Sequence, residues 1–228
     1  MEDNERSDLR INGLGTAAGG KYNFVQINGK GDISGDVECV QLQINGFGSI
    51  GGNLKMETAR IAGKSEIAGN ITGGELTVDG MIEVNGGISA EHIENRGTMQ
   101  IARDCGAESF KSRGGFSIGG LLNSGKIDVE IYTSCTAREI GGEKINIRKG
   151  DAFGFKKFLD SLFPGLGWNR GLSAETVEGD DIYLESTTAK VVRGDNVRLG
   201  PGCQIDLVEY RSTLERASDS IIKESKKI

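Results

Sequence analysis

Catalysis needs a convergent set of reactive side chains, and this sequence offers few. Its one histidine, His92, would have to act alone as a general base, as an acyltransferase built on a solenoid would require. His92 directly precedes the apolar Ile93, and strand alternation then turns it to the solvent side, where a solvated surface histidine is the plainer interpretation. Gly46-Phe47-Gly48-Ser49-Ile50-Gly51 fits GxGxxG, but no helical pattern follows it. Gly63-Lys64-Ser65 ends like a phosphate loop, yet Thr58 stands where its first glycine belongs. Cys39, Cys105, Cys135 and Cys203 show no CxxC pairing and are expected to behave as small apolar side chains. Asp32, Glu66 and Glu83 share one outward column, and Asn28, Asn45 and Asp79 share another. Such ladders suit a cation or a polysaccharide, and equally a solvated, stacking-compatible face. The expectation is no catalytic residue, no cofactor and no metal.

The elements that position these residues are set by a repeat. From Ile27, Ile44, Ile61 and Val78 the chain repeats itself four times at a spacing of 17, without gaps. Stacked, the copies form paired apolar columns. Val25, Leu42, Ala59, Leu76, Ile93 and Phe110 stand two residues before Ile27, Ile44, Ile61 and Val78. Gly31, Gly48, Ser65, Ile82, Met99 and Phe116 pair with Ile33, Ile50, Ile67, Val84, Ile101 and Ile118. Val37, Leu54, Ile71, Ile88, Cys105 and Leu122 pair with Cys39, Met56, Gly73, Ala90 and Ala107. Apolar residues two apart mark a short strand with one face to a core, so each coil has three faces. Gly29, Gly46, Gly63, Gly80, Gly97 and Gly114, with Gly35, Gly52, Gly69, Gly86 and Gly120, fall between the faces. Backbone freedom makes glycine the natural corner residue. The predicted fold is all-β: a parallel β-helix, a triangular β-solenoid of about 17 residues per coil.

Composition agrees. The 36 glycines among 228 residues are about twice the roughly 7% of an ordinary domain, and the corners account for them. A net charge of −6 argues against nucleic acid as a partner. No apolar run approaches the ~18 residues of a membrane span. Met1 to Arg10 is charged rather than shaped like a signal peptide, so the cytoplasm is the expected compartment.

In order, residues 1–8 are expected to be a disordered lead, 9–150 solenoid, 151–176 an aromatic helical insert, 177–210 final coils, and 211–228 a polar tail, frayed helix or mobile. In the insert Phe155, Phe158, Leu159, Leu162 and Phe163 share one face of an amphipathic helix ended by Pro164 and Gly165, with Trp168 beyond it. That helix is expected to fold over the solenoid or, alternatively, to meet a membrane surface or partner. The polar lead carries no capping helix, which favours end-to-end assembly, since an uncapped stack leaves backbone groups free to template another chain. Leu9 and Ile11 at one end, with Ile205 and Leu207 at the other, are the candidate polymerisation faces.

The pattern Ile-Asn-Gly-x-Gly-x-Ile-x-Gly-(Asp/Asn)-(Val/Leu) at Ile27–Val37 and Ile44–Leu54, with Ile61–Ile71 and Val78–Ile88, resembles the bactofilins, polymer-forming bacterial cytoskeletal proteins. The match covers roughly Leu9 to Ile147 and resumes from about Val177 to Val208. The resemblance implies a right-handed β-helix assembling through its ends into nonpolar, nucleotide-independent filaments, often membrane-associated, that scaffold cell-envelope, shape or motility machinery. It implies self as the main partner, with a second bactofilin, the membrane surface or envelope proteins as others. The insert, and the lack of an apolar N-terminal targeting segment, depart from the simplest family pattern. The alternatives are a β-helix acyltransferase, whose coils advance in sixes rather than by 17, and a polysaccharide-binding or lyase protein with a charged cleft.

Overall fold

The computed structural model describes residues 6–150 and 171–228. All regular structure in them is strand: seventeen strands in one sheet, every pairing parallel, wound into about 12 turns of about 17 residues. The register is the one the repeat dictates. On the first face Leu9 pairs with Val25, then Leu42, Ala59, Leu76, Ile93, Phe110, Ile127, Ile145, Ile182, Val197 and Leu214. At about 4.8 Å per rung the stack is roughly 55 Å long. Inward side chains of all three faces merge into one continuous buried core.

The core is graded. The second face begins with Gly15, Gly31 and Gly48, where methyl groups of Ile11, Ile27 and Ile44 fill the space that a side chain would occupy. It widens through buried Ile82 and Met99 to Phe116, which meets Phe110 edge to face at 5.5 Å. Between them Ser65 buries a hydroxyl without a hydrogen-bond partner. The first-face column that begins Ile27, Ile44, Ile61, Val78 continues with two buried polar residues, Asn95 and Ser112. They satisfy each other: the Asn95 amide donates to Ser112 Oγ and to the Gly115 carbonyl, both at 3.0 Å, while Ser112 donates to the Gly114 carbonyl at 3.1 Å. A fully paired buried polar set of this kind adds little net destabilisation.

Most of the corner glycines are there for a different reason from backbone angle. Among the described glycines only Gly13, Gly35 and Gly202 have positive φ. In the column Gly29 to Gly114 each glycine lies directly on the carbonyl of the glycine one coil before. A Cβ at Gly63 would overlap the Gly46 oxygen, to which Lys64 N–H donates at 2.8 Å. Close stacking therefore requires glycine here. At the next corner a side-chain ladder serves the backbone: Asn53 N–H donates to Asp36 Oδ1 (2.7 Å), Asn70 N–H to Asn53 Oδ1 (2.9 Å) and Gly87 N–H to Asn70 Oδ1 (2.9 Å). Each rung thus satisfies a corner amide of the rung that follows.

Three boundaries differ from the sequence expectation. Strand structure begins at Ser7, and Arg6 is already held by an ion pair to Glu38 at 2.7 Å, so the lead is shorter than eight residues. The strand Leu172–Leu184 starts inside the segment assigned to the insert. The helix itself, with Phe155, Phe158, Leu159, Leu162, Phe163 and Trp168, lies outside the described residues. Ile145 and Ile182 are adjacent in register although 37 residues apart; without the 20 residues 151–170 one ordinary coil of 17 separates them. Finally, 211–228 is neither helix nor tail. One strand runs to Arg216 and another, Ile221–Lys227, pairs with it in parallel.

Candidate functional site

The residues with chemical potential are dispersed along the stack rather than gathered. His92 is exposed on the first face, between Glu75 and Ser109 of the adjoining rungs. Gly46 is a corner and Gly48 a buried inward position, so the GxGxxG match spans a solenoid turn. Lys64 projects over the Phe47 ring at 5.9 Å while Ser65 points into the core, which is no cradle for a phosphate. Asn28 donates to Asn12 and Asn45 to Asn28, both at 2.8 Å, and Asp79 joins Arg60 (2.9 Å) and Arg96 (2.8 Å). Arg96 in turn hydrogen-bonds Glu94 and holds its carboxyl below the usual carboxylate range. The column of Asn28, Asn45 and Asp79 is thus occupied in binding rung to rung. Among the described residues no three or more His, Cys, Asp or Glu side chains are placed to share a metal ion.

All four cysteines are buried and free. Burial pushes the thiols of Cys39 and Cys105 up to about 12 and that of Cys135 to about 11 from an ordinary 9.0, and raises Cys203 as well. Thiolate is the reactive form. In the folded protein at pH 8 all four are therefore expected to resist a thiol reagent, and to react fully in denaturant. The same shifts fix a pH dependence. A thiol whose folded pKa exceeds its unfolded one stabilises fully below the unfolded value, and loses that contribution as pH rises toward the folded value. Stability should fall between about pH 9 and about pH 12, measurable as a declining urea midpoint.

Among the described residues, what remains unpartnered is the two ends of the stack. The first rung's strand, Ser7–Ile11, pairs only with Leu14–Ile27, leaving its other edge open among the described residues. Leu9, Ala17 and Tyr22 are only half-covered there, Ile11 is 7% exposed and Leu14, at the corner, is 85% exposed. Leu9 and Ile11 therefore lie on the first rung. The candidates for the other end do not lie on the last rung. Ile205 is buried between Ala189 and Ile222, and Leu207 is flanked by Val191 and Glu224, because the strand Ile221–Lys227 covers both. Leu207 also turns outward of Val208, which is fully buried. From Ala137 onward the corner between the second and third faces is one residue shorter, and a one-residue slip exchanges a strand's two faces. The last rung is instead Leu214 and Arg216, Ser220 and Ile222, Ser225 and Lys227, which stack on Val197, Leu199, Cys203, Ile205, Val208 and Tyr210.

No protein-family model and no solved structure matches the chain. Two proteins of Bacillus subtilis (strain 168) are similar to it. The uncharacterized protein YhbF is 38% identical over 110 residues, 48% of this chain and 42% of YhbF. The uncharacterized protein YhbE is 41% identical over 96 residues, 41% of this chain and 37% of YhbE. The chain spans about two fifths of the length of these curated relatives. Neither name carries a function.

With the comparisons silent on chemistry, the ends remain the place where the fold is unsatisfied. An open parallel rung presents a row of N–H and C=O groups and an uncovered cross-section of core, and both favour another strand. One shallow groove elsewhere, lined by Leu121, Gly141, Gly142, Glu139, Glu143 and Glu178, is acidic with a bare glycine floor. Its Glu178 is already paired with Arg193 at 2.9 Å. Among the described residues no helix is long and apolar enough to cross a membrane.

Proposed function

We propose that this chain is a bactofilin-like structural protein. It assembles end to end into filaments without nucleotide and acts as a scaffold rather than an enzyme, in the cytoplasm, for cell-envelope, shape or motility machinery. The observation that carries this reading is the open first rung, with Leu9 and Ile11 at its inward positions and Ala17 and Tyr22 on the neighbouring faces. The solenoid fold and the Ile-Asn-Gly-x-Gly repeat support the family assignment, and the dispersal of His92, the cysteines and the carboxylates supports the absence of catalysis.

The edge strand Ser7-Asp8-Leu9-Arg10-Ile11 is self-complementary. Two copies related by a two-fold axis through Leu9 pair antiparallel, with Leu9 on Leu9 and each Asp8 opposite the other copy's Arg10. In the single chain those two side chains are exposed and already reach each other at 3.2 Å. Asp8→Arg should therefore weaken association about tenfold or more, because both cross-strand pairs become repulsive. Adding Arg10→Asp should restore it. Sedimentation velocity reads both, and a double variant that stays as weak as the single one would remove this pairing from the account.

A further inference from the structure

The two ends of the stack differ in kind. At the first rung the inward positions are Leu9 and Ile11, Gly15 and Ala17, Gly20 and Tyr22, and none of them carries a charge. At the last rung the six positions include two cations. Arg216 stacks on Leu199, a member of the buried core, and Lys227 on Tyr210, which is partly buried against that core. Neither makes an ion pair among the described residues, whereas their neighbours do: Arg211 pairs with Asp195 at 2.8 Å and Lys223 with Asp206 at 2.7 Å. With Arg211 and Lys223 neutralised in this way, Arg216 and Lys227 are the cations at inward positions on this end of a chain whose net charge is −6. On the first face the last rung also sets Glu215 outward beside Arg198, leaving Arg216 as the charge directed along the column.

While exposed, these side chains reach water freely. Any coil laid on the rung, from a second copy or elsewhere, would turn their positions into core, and an unpaired buried charge is among the most destabilising features a contact can acquire. Two copies meeting at this end would bring four such cations together. We propose, resting on the end-to-end reading above, that Arg216 and Lys227 close this end electrostatically. The assembly unit is then a two-copy rod joined at the first rungs, and growth through the last rungs proceeds only when those cations are screened or matched by carboxylates on the incoming rung. Charges pointing inward at an edge are a recognised way of refusing a further strand.

The test uses the full chain and a charge-reversed variant, Arg216→Glu with Lys227→Glu. Each alone, in about 0.01 M salt where the Debye length is roughly 30 Å, should stop at rods of roughly 110 Å, twice the length of one stack. Mixed in equal amounts, they should form filaments at least fivefold longer, because opposite charges now meet at every junction between last rungs. Wild type alone should lengthen when salt is raised to about 1 M, where screening acts within roughly 3 Å. Long filaments of wild type alone at low salt, or a mixture no longer than its parts, would overturn the closure by charge and leave end-to-end assembly standing. Monomers in every sample would instead defeat the end-to-end reading itself.

Discussion

Replacing Gly63 by alanine is expected to destabilise the protein by about 3 kcal/mol or more, although the residue is neither apolar nor in a left-handed conformation. The added methyl group meets the Gly46 carbonyl oxygen, which cannot retreat. It accepts a hydrogen bond from Lys64 N–H at 2.8 Å, and Gly63 is itself stacked under Gly80 by the same geometry. Relief requires two rungs to part, which strains at least two ladder hydrogen bonds as well as the core. Gly35→Ala is the informative control. Gly35 has φ +87° but nothing within 4 Å of a Cβ, so alanine there meets only the backbone penalty of about 1–2 kcal/mol. Urea melts followed by far-UV circular dichroism, at a concentration low enough to keep the chain unassembled, should rank Gly63→Ala well below Gly35→Ala. Equal losses would mean that the corners are chosen for backbone angle after all.

Leu9→Asp is expected to abolish the junction between first rungs, and with it filament growth, while leaving the fold intact. Leu9 is half-covered in the isolated chain, so a carboxylate there stays hydrated and should change the unfolding free energy by about 1 kcal/mol or less. In a junction of two first rungs it would face its own copy inside a closed core. A buried, unpaired charge costs about 3–5 kcal/mol, enough to weaken association by roughly a thousandfold. Ile205→Asp should behave in the opposite way. Ile205 is buried between two paired strands, so a charge there should unfold the last coils rather than merely free an end. Sedimentation separates the two outcomes, and a Leu9→Asp variant that assembles normally would move the contact away from the first rung.

The three-faced stack was legible because inward positions recur at a fixed spacing, and Leu42, Ala59 and Leu76 need no long-range information to be aligned. Legibility failed where chemistry rather than spacing changed. Asn95 and Ser112 occupy a core column that apolar residues lead one to end at Val78, and only counting by 17 recovers them. Strands past Arg211 were hidden because Arg216, Ser225 and Lys227 hold inward positions, so alternation is absent where the stack ends. The same residues that concealed the last rung then set its character. Leu207 misled for a simpler reason: one residue lost at a corner shifts the phase of everything after it on that face, and Val208 takes the buried place. The glycine columns were read correctly as corners but for the wrong cause, since a sequence cannot reveal that one coil's carbonyl lies under the next coil's Cα.

Assembly through the ends is decided by negative-stain electron microscopy of the purified, nucleotide-free chain, with Leu9→Asp imaged beside it at about 1 M salt. The wild type should form unbranched filaments one solenoid wide, and the variant only short rods of at most two stacks, roughly 110 Å long, joined at their screened last rungs. Compact discrete particles of wild type, such as trimers, unaltered by Leu9→Asp, would contradict assembly through the ends.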